Sequence, residues 1–393
     1  MPLYLEQLET PAPLVDLDRL ALNLDRMAAY CAMHGFGLRP HVKTHKSPRI
    51  AAEQLRLGAA GVTCATVREA EVMAELTDDV LLAYPLVGMT ALRRLTNLAP
   101  SVRITVALDS ERAAAQLSAA ADEIGRTVGV LVELDVGMRR TGVQDGAAAV
   151  ALATYIADRT SLRFDGLAFY PGHVRQTIAH QAAPMGDVAR QVAGAVRALD
   201  AAGLPPRTVS GGSTPAAWRM HEIPELTEVR PGTYVYNDRV TAAIGACEWD
   251  ACAFSVLATV VSTAVPGQAV IDAGSKALGR EPIDAARVAD GEADGDGGAG
   301  ERAAAGARLD GFGALVDRPE VVVSRMSEEH GVLDLSRTDW HPEVGEQVRV
   351  VPNHACVAVA LNDMMFGVRD DVVETRWPVV ARGRVAPDGI PNW

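Results

Sequence analysis

The sequence predicts an α/β chain in two parts: a (β/α)8, TIM-type barrel over residues 10–240 and a β-rich C-terminal domain over 241–393, which residues 1–9 join. Three observations predict it. At 393 residues the chain exceeds what one ordinary core organises, so it should divide into domains. Up to about Ser213, short Leu- and Val-rich runs alternate with Ala-rich stretches of helical period, the pattern of repeated βα units. After Asn237 the texture changes to alternating Val-rich runs separated by turn residues.

The barrel runs are residues 14–18, 37–43, 61–65, 80–84, 103–109, 128–135, 164–170 and 208–211, eight in all, the strand number of a (β/α)8 barrel. Residues 19–34, 48–58, 67–76, 110–124 and 183–202 read as helices between them. Several open on Ser, Pro or Thr and end at Gly, as helix caps prefer. An open, doubly wound sheet shares this pattern, because counting strands does not show closure. In the second part AVPGQAVIDAG, PEVVVSRMS, VGEQVRVVP and WPVVARGRV read as strands. Residues 285–307 are nearly all Ala, Gly, Asp, Glu and Arg with no apolar period, and read as a solvated, flexible insertion loop.

Composition excludes several classes of function. Apolar residues make up 48% of the chain, enough for a large core, and the formal net charge is −13 with no long basic run, which argues against a nucleic-acid or anionic-membrane partner. The five cysteines are scattered, odd in number and form no CxxC pair, so no disulfide framework is expected and a cytoplasmic setting fits. No stretch reaches the roughly 18 apolar residues of a membrane span, and the opening MPLYLEQLETPAPLVDLD lacks a leader's basic and apolar regions.

Chemistry in such a barrel sits where strands end, and there the sequence is rich in polar residues. RPHVKTHK places Lys43 between His41 and His45; a lysine whose ammonium pKa falls there can form a Schiff base, although taken alone the segment reads more readily as a basic loop touching solvent. In SGGSTPA, Gly211 and Gly212 let the backbone approach an anion, and Ser213, Thr214 and the N–H groups opening the next helix would donate to a phosphate. Such a turn is usually only a turn, but phosphate sites of barrels cluster after the last two strands. In DVGMRRTG, Arg140 can face a ligand oxygen or ring nitrogen, or simply pair with Asp135. In PNHAC, His354 and Cys356 would emerge on one face if residues 348–361 form a strand, as two ligands of one metal must. Imidazole with thiolate favours zinc, and two protein ligands leave catalytic positions open; a buried histidine beside an inert cysteine is the simpler alternative.

Nine segments together change the weight of these readings. TPAPLVDLDRLALNLDRM, RPHVKTHKSPRIAAEQLRLGAAGVTCATVREAEVM, DVGMRRTG, YPGH, GGSTPA, RPGTYVYND, DAGSKALGRE, SEEHGVLDL and PNHAC resemble, in this order, the D-serine dehydratase and D-threonine aldolase family of alanine racemase-like, fold-type III pyridoxal 5′-phosphate enzymes. The likeness spans about residues 10–368, apart from 285–307. It implies that Lys43 carries the cofactor, that Tyr170, Tyr236 and the loop from Gly211 through Gly212 and Ser213 to Thr214 hold it, and that Arg140 lies beside it. Arg230 matches in place the arginine that alanine racemases set against the pyridine nitrogen, and competes with Arg140 for that role. His354 and Cys356 are implied to bind a divalent metal at the substrate's β-hydroxyl, zinc before manganese or magnesium.

The resemblance also implies a reaction and an assembly. Aldolase members pair the metal-binding histidine with an aspartate two residues on, whereas Cys356 follows the dehydratase pattern. The expected activity is therefore dehydration of a β-hydroxy-D-amino acid, D-serine foremost, to a 2-oxo acid and ammonia, with retro-aldol cleavage to glycine and aldehyde as the alternative. For the latter, His173 is the nearest available base, since no histidine stands where the aldolases' base would align. A racemase or a non-catalytic cofactor-binding protein fits less well, because neither needs DAGSKALGRE or PNHAC. A homodimer is expected.

Overall fold

Eight parallel strands form one sheet in the computed structural model, which describes residues 2–283 and 310–383. Their order around the sheet is Gly37–Leu38, Glu228–Val229, Thr208–Gly211, Leu162–Phe169, Val128–Leu134, Arg103–Leu108, Asp79–Leu82 and Val62–Cys64. The two ends meet in a parallel bridge between His41 and Thr63, where Val42 N–H donates to Thr63 O at 2.9 Å and Thr63 N–H to Pro40 O at 2.9 Å. That bridge closes the barrel and fixes the segment carrying Lys43. Leu81, Ala107, Leu131 and Ala168, from four neighbouring strands, pack as one buried cluster.

The helices start where their caps stand. Thr66, Ser110 and Asp145 each accept the N–H three residues on, opening Val67–Met73, Glu111–Asp122 and Gly146–Ala157. Each such cap contributes about 1 kcal/mol.

Two strand assignments differ from expectation. Residues 14–18 were expected to begin the barrel, yet the strand there is Ala12–Asp16, paired antiparallel with Phe254–Ser262 and parallel with Met364–Arg369 in the other sheet. The eighth barrel strand is instead Glu228–Val229, so Thr208–Gly211 is the seventh. A two-residue strand has no alternation to betray it.

The chain divides into two compact units. One comprises residues 1–26, 175–180 and 233–379, the other 27–174, 181–232 and 380–393. The first holds a ten-stranded sheet in which Phe254–Ser262, Gln268–Ile271, Gly331–Asp334, Val322–Met326, Gly313–Leu315 and Gln347–Pro352 pair in a closed antiparallel ring, Phe254–Ser262 returning to Gln347–Pro352. WPVVARGRV is strand only as far as Pro378, the end of Val372–Pro378. The insertion at 285–307 lies outside the described residues. No helix among the described residues is long and apolar enough to cross a membrane.

Candidate functional site

Lys43 follows the first barrel strand, half-buried, with its Nζ 5.8 Å from the centroid of the Tyr170 ring and no hydrogen-bonded side-chain partner among the described residues. Lys46, three residues on, is occupied. It pairs with Glu69, a fully buried carboxylate whose other oxygen accepts the Ala65 N–H at 2.6 Å. The two flanking histidines are not cationic neighbours. Burial drives the His41 imidazole well below its usual value, helped by the charges of Lys43 and Arg230, and burial pushes His45 down to about 3. Neither flanking histidine therefore brings an imidazolium charge to Lys43.

Tyr170 stands at the end of the sixth barrel strand, Leu162–Phe169. Gly172 is obligatory beneath it, since a Cβ there would lie 2.1 Å from the phenol ring. The Arg140 guanidinium covers the same ring at 4.9 Å, an exposed cation–π contact. The alternative pairing of Arg140 with Asp135 is not formed: Asp135 Oδ1 accepts the N–H groups of Gly137 and Arg139, each at 3.0 Å, and shapes the loop. His173 lies 2.9 Å from where a Cβ on Gly137 would sit, so that glycine makes room for its ring. Its Nδ1 is buried without a partner among the described residues, and burial lowers its pKa, leaving a neutral imidazole able to accept a proton.

The loop after Thr208–Gly211 is packed as an anion cradle requires. A Cβ on Gly211 would strike the Phe169 ring at 2.1 Å, and Gly212 has a φ of +104° that side chains rarely adopt. Ser213 and Thr214 are buried, and Ser213 Oγ accepts the Ala216 N–H at 3.3 Å. The helix expected to open here is a short 3-10 segment, Ala217–Glu222. Donors to a phosphate would thus come from the loop itself, not from a helix terminus.

Arg230, just past the eighth strand, is buried and braced. It donates to Ser210 Oγ at 2.6 Å and to Phe169 O at 2.9 Å. Tyr236 belongs to the other unit; it is fully buried beside Phe254, and its hydroxyl has no partner among the described residues. Within their unit, Lys43 without a hydrogen-bonded side-chain partner among the described residues and the glycine cradle fit a phosphate-bearing aldehyde cofactor.

His354 and Cys356 also depart from expectation. The strand ends at Pro352, His354 caps the helix Ala355–Leu361, and Cys356 is that helix's second residue. They remain neighbours through the cap. His354 Nδ1 lies 3.0 Å from Oδ2 of Asp238, which also accepts the Ala355 N–H at 3.1 Å, while Asp238 Oδ1 takes the Thr241 N–H at 2.9 Å. Burial disfavours charge on His354, but Cys356 and Asp238 outweigh it and push the imidazole up to about 11. The Asp238 carboxylate and the Cys356 sulfur beside the ring make this a place that attracts a cation, whether a proton or a metal ion. Among the described residues no group of three or more His, Cys, Asp or Glu converges on one point, so a metal here would have two protein ligands, with Asp238 behind the histidine. Sequence reading missed Asp238; its signal was the DRVT capping pattern.

Comparison with known proteins agrees in both units. Residues 15–240 match the family described as "Alanine racemase, N-terminal domain", and residues 253–368 match "Putative serine dehydratase domain". A D-threonine aldolase of an Arthrobacter species is 33% identical, with 96% of this chain and 94% of that protein covered. A D-threo-3-hydroxyaspartate dehydratase of Delftia sp. strain HT23 is 34% identical over 90% and 92%. The crystal structure of D-threonine aldolase from Filomicrobium marinum superposes with a TM-score of 0.83 at 35% identity, covering 97% of this chain and 98% of that one. A D-serine dehydratase of Dictyostelium discoideum stands further off, at 24% identity over 91% and 92%.

Proposed function

We propose, from the premise that this chain belongs to the alanine racemase-like, pyridoxal-phosphate-dependent lyases, that it removes water from a β-hydroxy-D-amino acid, D-serine foremost, to give a 2-oxo acid and ammonia. The observation that carries the reading is the His354–Cys356 pair with Asp238 hydrogen-bonded behind it. An imidazole and a thiolate suit a borderline ion such as zinc, with manganese or magnesium as the harder alternatives.

When bound, the cofactor's conjugated ring accepts the electron pair released at the substrate's Cα, and the ion acts as a Lewis acid on the β-hydroxyl. The chain's own residues supply the rest. Lys43, without a hydrogen-bonded side-chain partner among the described residues, would hold the cofactor and, as a free amine, would take the Cα proton. Gly211, Gly212, Ser213 and Thr214 would receive the phosphate, Tyr170 would pack against the ring, and Tyr236 would offer its hydroxyl. Arg230, buried and braced, fits the ring nitrogen better than Arg140, which is exposed on Tyr170. An arginine there keeps that nitrogen unprotonated and tempers the electron sink.

Retro-aldol cleavage is the second reading, favoured by the likeness to D-threonine aldolases. It would use neutral His173 to remove the hydroxyl proton. A homodimer is part of the proposal, symmetric pairing being the commonest assembly. Chelation tests the metal-dependent dehydration: metal-free enzyme should lose turnover of D-serine yet keep the cofactor's absorbance, and a full rate in verified metal-free enzyme would overturn it.

A further inference from the structure

Arg230 does not end at the face of the barrel that carries the lysine. Its Nη1 donates to Ser210 Oγ at 2.6 Å, and Ser210 Oγ donates in turn to Glu228 Oε1 at 2.6 Å. Glu228 is then gripped by Arg39, whose Nε reaches both carboxylate oxygens, at 3.0 and 2.9 Å. Arg39 completes the run on Asp79, with Nη1 2.9 Å from Oδ1 and Nη2 donating to Oδ2 at 3.1 Å. All five residues are buried, with exposures of 9% or less. A line of alternating charge, Asp79, Arg39, Glu228 and Arg230, thus crosses the barrel interior through one serine hydroxyl.

The topology explains how these groups meet. Glu228 and Arg230 lie two residues apart, so an extended backbone turns both side chains to the same face. Ser210 sits on the neighbouring strand, paired in register with Glu228, and Arg39 follows the strand on the other side. Gly61 leaves the space Arg39 needs, since a Cβ there would come within 2.5 Å of its Nη1.

We infer that Glu228 is a positioning residue for Arg230, acting through Ser210 and itself held in place by Arg39; the inference rests on the reading that Arg230 faces the cofactor's ring nitrogen. The direction of the relay carries it. Arg230 has only hydrogens to give, so the Ser210 hydroxyl must accept from it and point its own hydrogen at Glu228. One rotamer of the serine satisfies both ends. A buried carboxylate with a charged partner is costly to leave half-paired, so Glu228 locks the hydroxyl and the hydroxyl locks the guanidinium. Arg39 alone beside Arg230 would repel it, and Glu228 stands between them.

The test uses the cofactor-loaded enzyme, reading the pH titration of the cofactor's absorbance together with cofactor stoichiometry, thermal midpoint, kcat and KM. Ser210→Ala cuts the bridge, Glu228→Gln removes the charge while keeping an acceptor, and Arg230→Gln is the reference. The titration midpoint should move in the same direction in all three, by about half a pH unit or more, with stoichiometry kept. kcat should fall about tenfold with KM within about twofold, and the Ser210→Ala/Glu228→Gln double variant should be no worse than the worse single one, as members of one chain behave. Ser210→Thr, which restores a hydroxyl, should return the midpoint. The inference is overturned if Arg230→Gln moves the midpoint and the Ser210 and Glu228 variants do not, whatever they do to thermal stability; the reading of Arg230 would then stand. If Arg230→Gln leaves the midpoint unmoved while Arg140→Gln shifts it, the reading fails and takes the inference with it.

Discussion

His354 Nδ1 sits 3.0 Å from Oδ2 of Asp238, a carboxylate only 1% exposed. That bond orients the ring; with a metal bound, Nδ1 would keep its hydrogen for Asp238 and Nε2 would be the nitrogen offered to the ion. Replacing Asp238 with Asn, which keeps the shape and a helix-capping oxygen, should weaken zinc binding by about 10- to 100-fold. Competition against a coloured chelator measures it. Unchanged affinity would mean that Asp238 serves only the caps at Thr241 and Ala355.

Lys43 is the lysine without a competing partner, so borohydride reduction of the loaded enzyme followed by peptide mapping should label it. A label on Lys46, which pairs with Glu69, or on Lys276, which pairs with Glu329 at 2.5 Å, contradicts the assignment. Lys46→Ala should act on stability instead, costing about 3–5 kcal/mol because Glu69 is left buried and unpaired. Denaturant unfolding reads that loss.

The buried histidines set a pH dependence of a defined sign. His45 titrates near 3 in the folded chain and, like any histidine, near 6.5 when unfolded. Between those values the unfolded chain binds the extra proton. Stability from this group is therefore present above about pH 6.5 and is lost as pH falls, by up to about 1.4 kcal/mol per unit. His45→Asn, whose oxygen can still accept the Ser47 N–H that Nδ1 accepts at 3.1 Å, should lose less stability over that window. Parallel unfolding curves for the two proteins would refute the assignment.

Gly172→Ala places a methyl 2.1 Å from the Tyr170 ring carbon and must displace the ring. Cofactor affinity should fall about tenfold or more, the scale of losing about 1.4 kcal/mol of contact. Equilibrium dialysis of cofactor tests this, and unaltered affinity would remove Tyr170 from the cofactor's contacts.

The sequence made the barrel, the β domain and most strand-end motifs legible, because apolar period and turn residues report local structure faithfully. It failed where partners decide. Residues 14–18 look like a first barrel strand by every local criterion, yet the strand Ala12–Asp16 finds its neighbours in Phe254–Ser262 and Met364–Arg369. The run after His354 is a short, Ala- and Val-rich segment that suits strand or helix equally, and it forms the helix Ala355–Leu361. The motif singled out Lys43 as a candidate, whereas the pairing of Lys46 with Glu69 across 23 residues had no signal in the sequence. Glu228 carries no motif, and nothing in RPHVKTHK or SGGSTPA ties Arg39 or Ser210 to it; only the register of adjacent strands brings the three together.

The most direct measurement incubates purified, cofactor- and zinc-loaded enzyme with D-serine, D-threonine and D-3-hydroxyaspartate, and assays 2-oxo acid, ammonia, aldehyde and glycine from the same reactions. Equal yields of 2-oxo acid and ammonia, abolished by chelation and by Cys356→Ala, are the predicted result. Glycine and aldehyde from D-threonine, with no oxo acid or ammonia from any of the three, would contradict the dehydratase account.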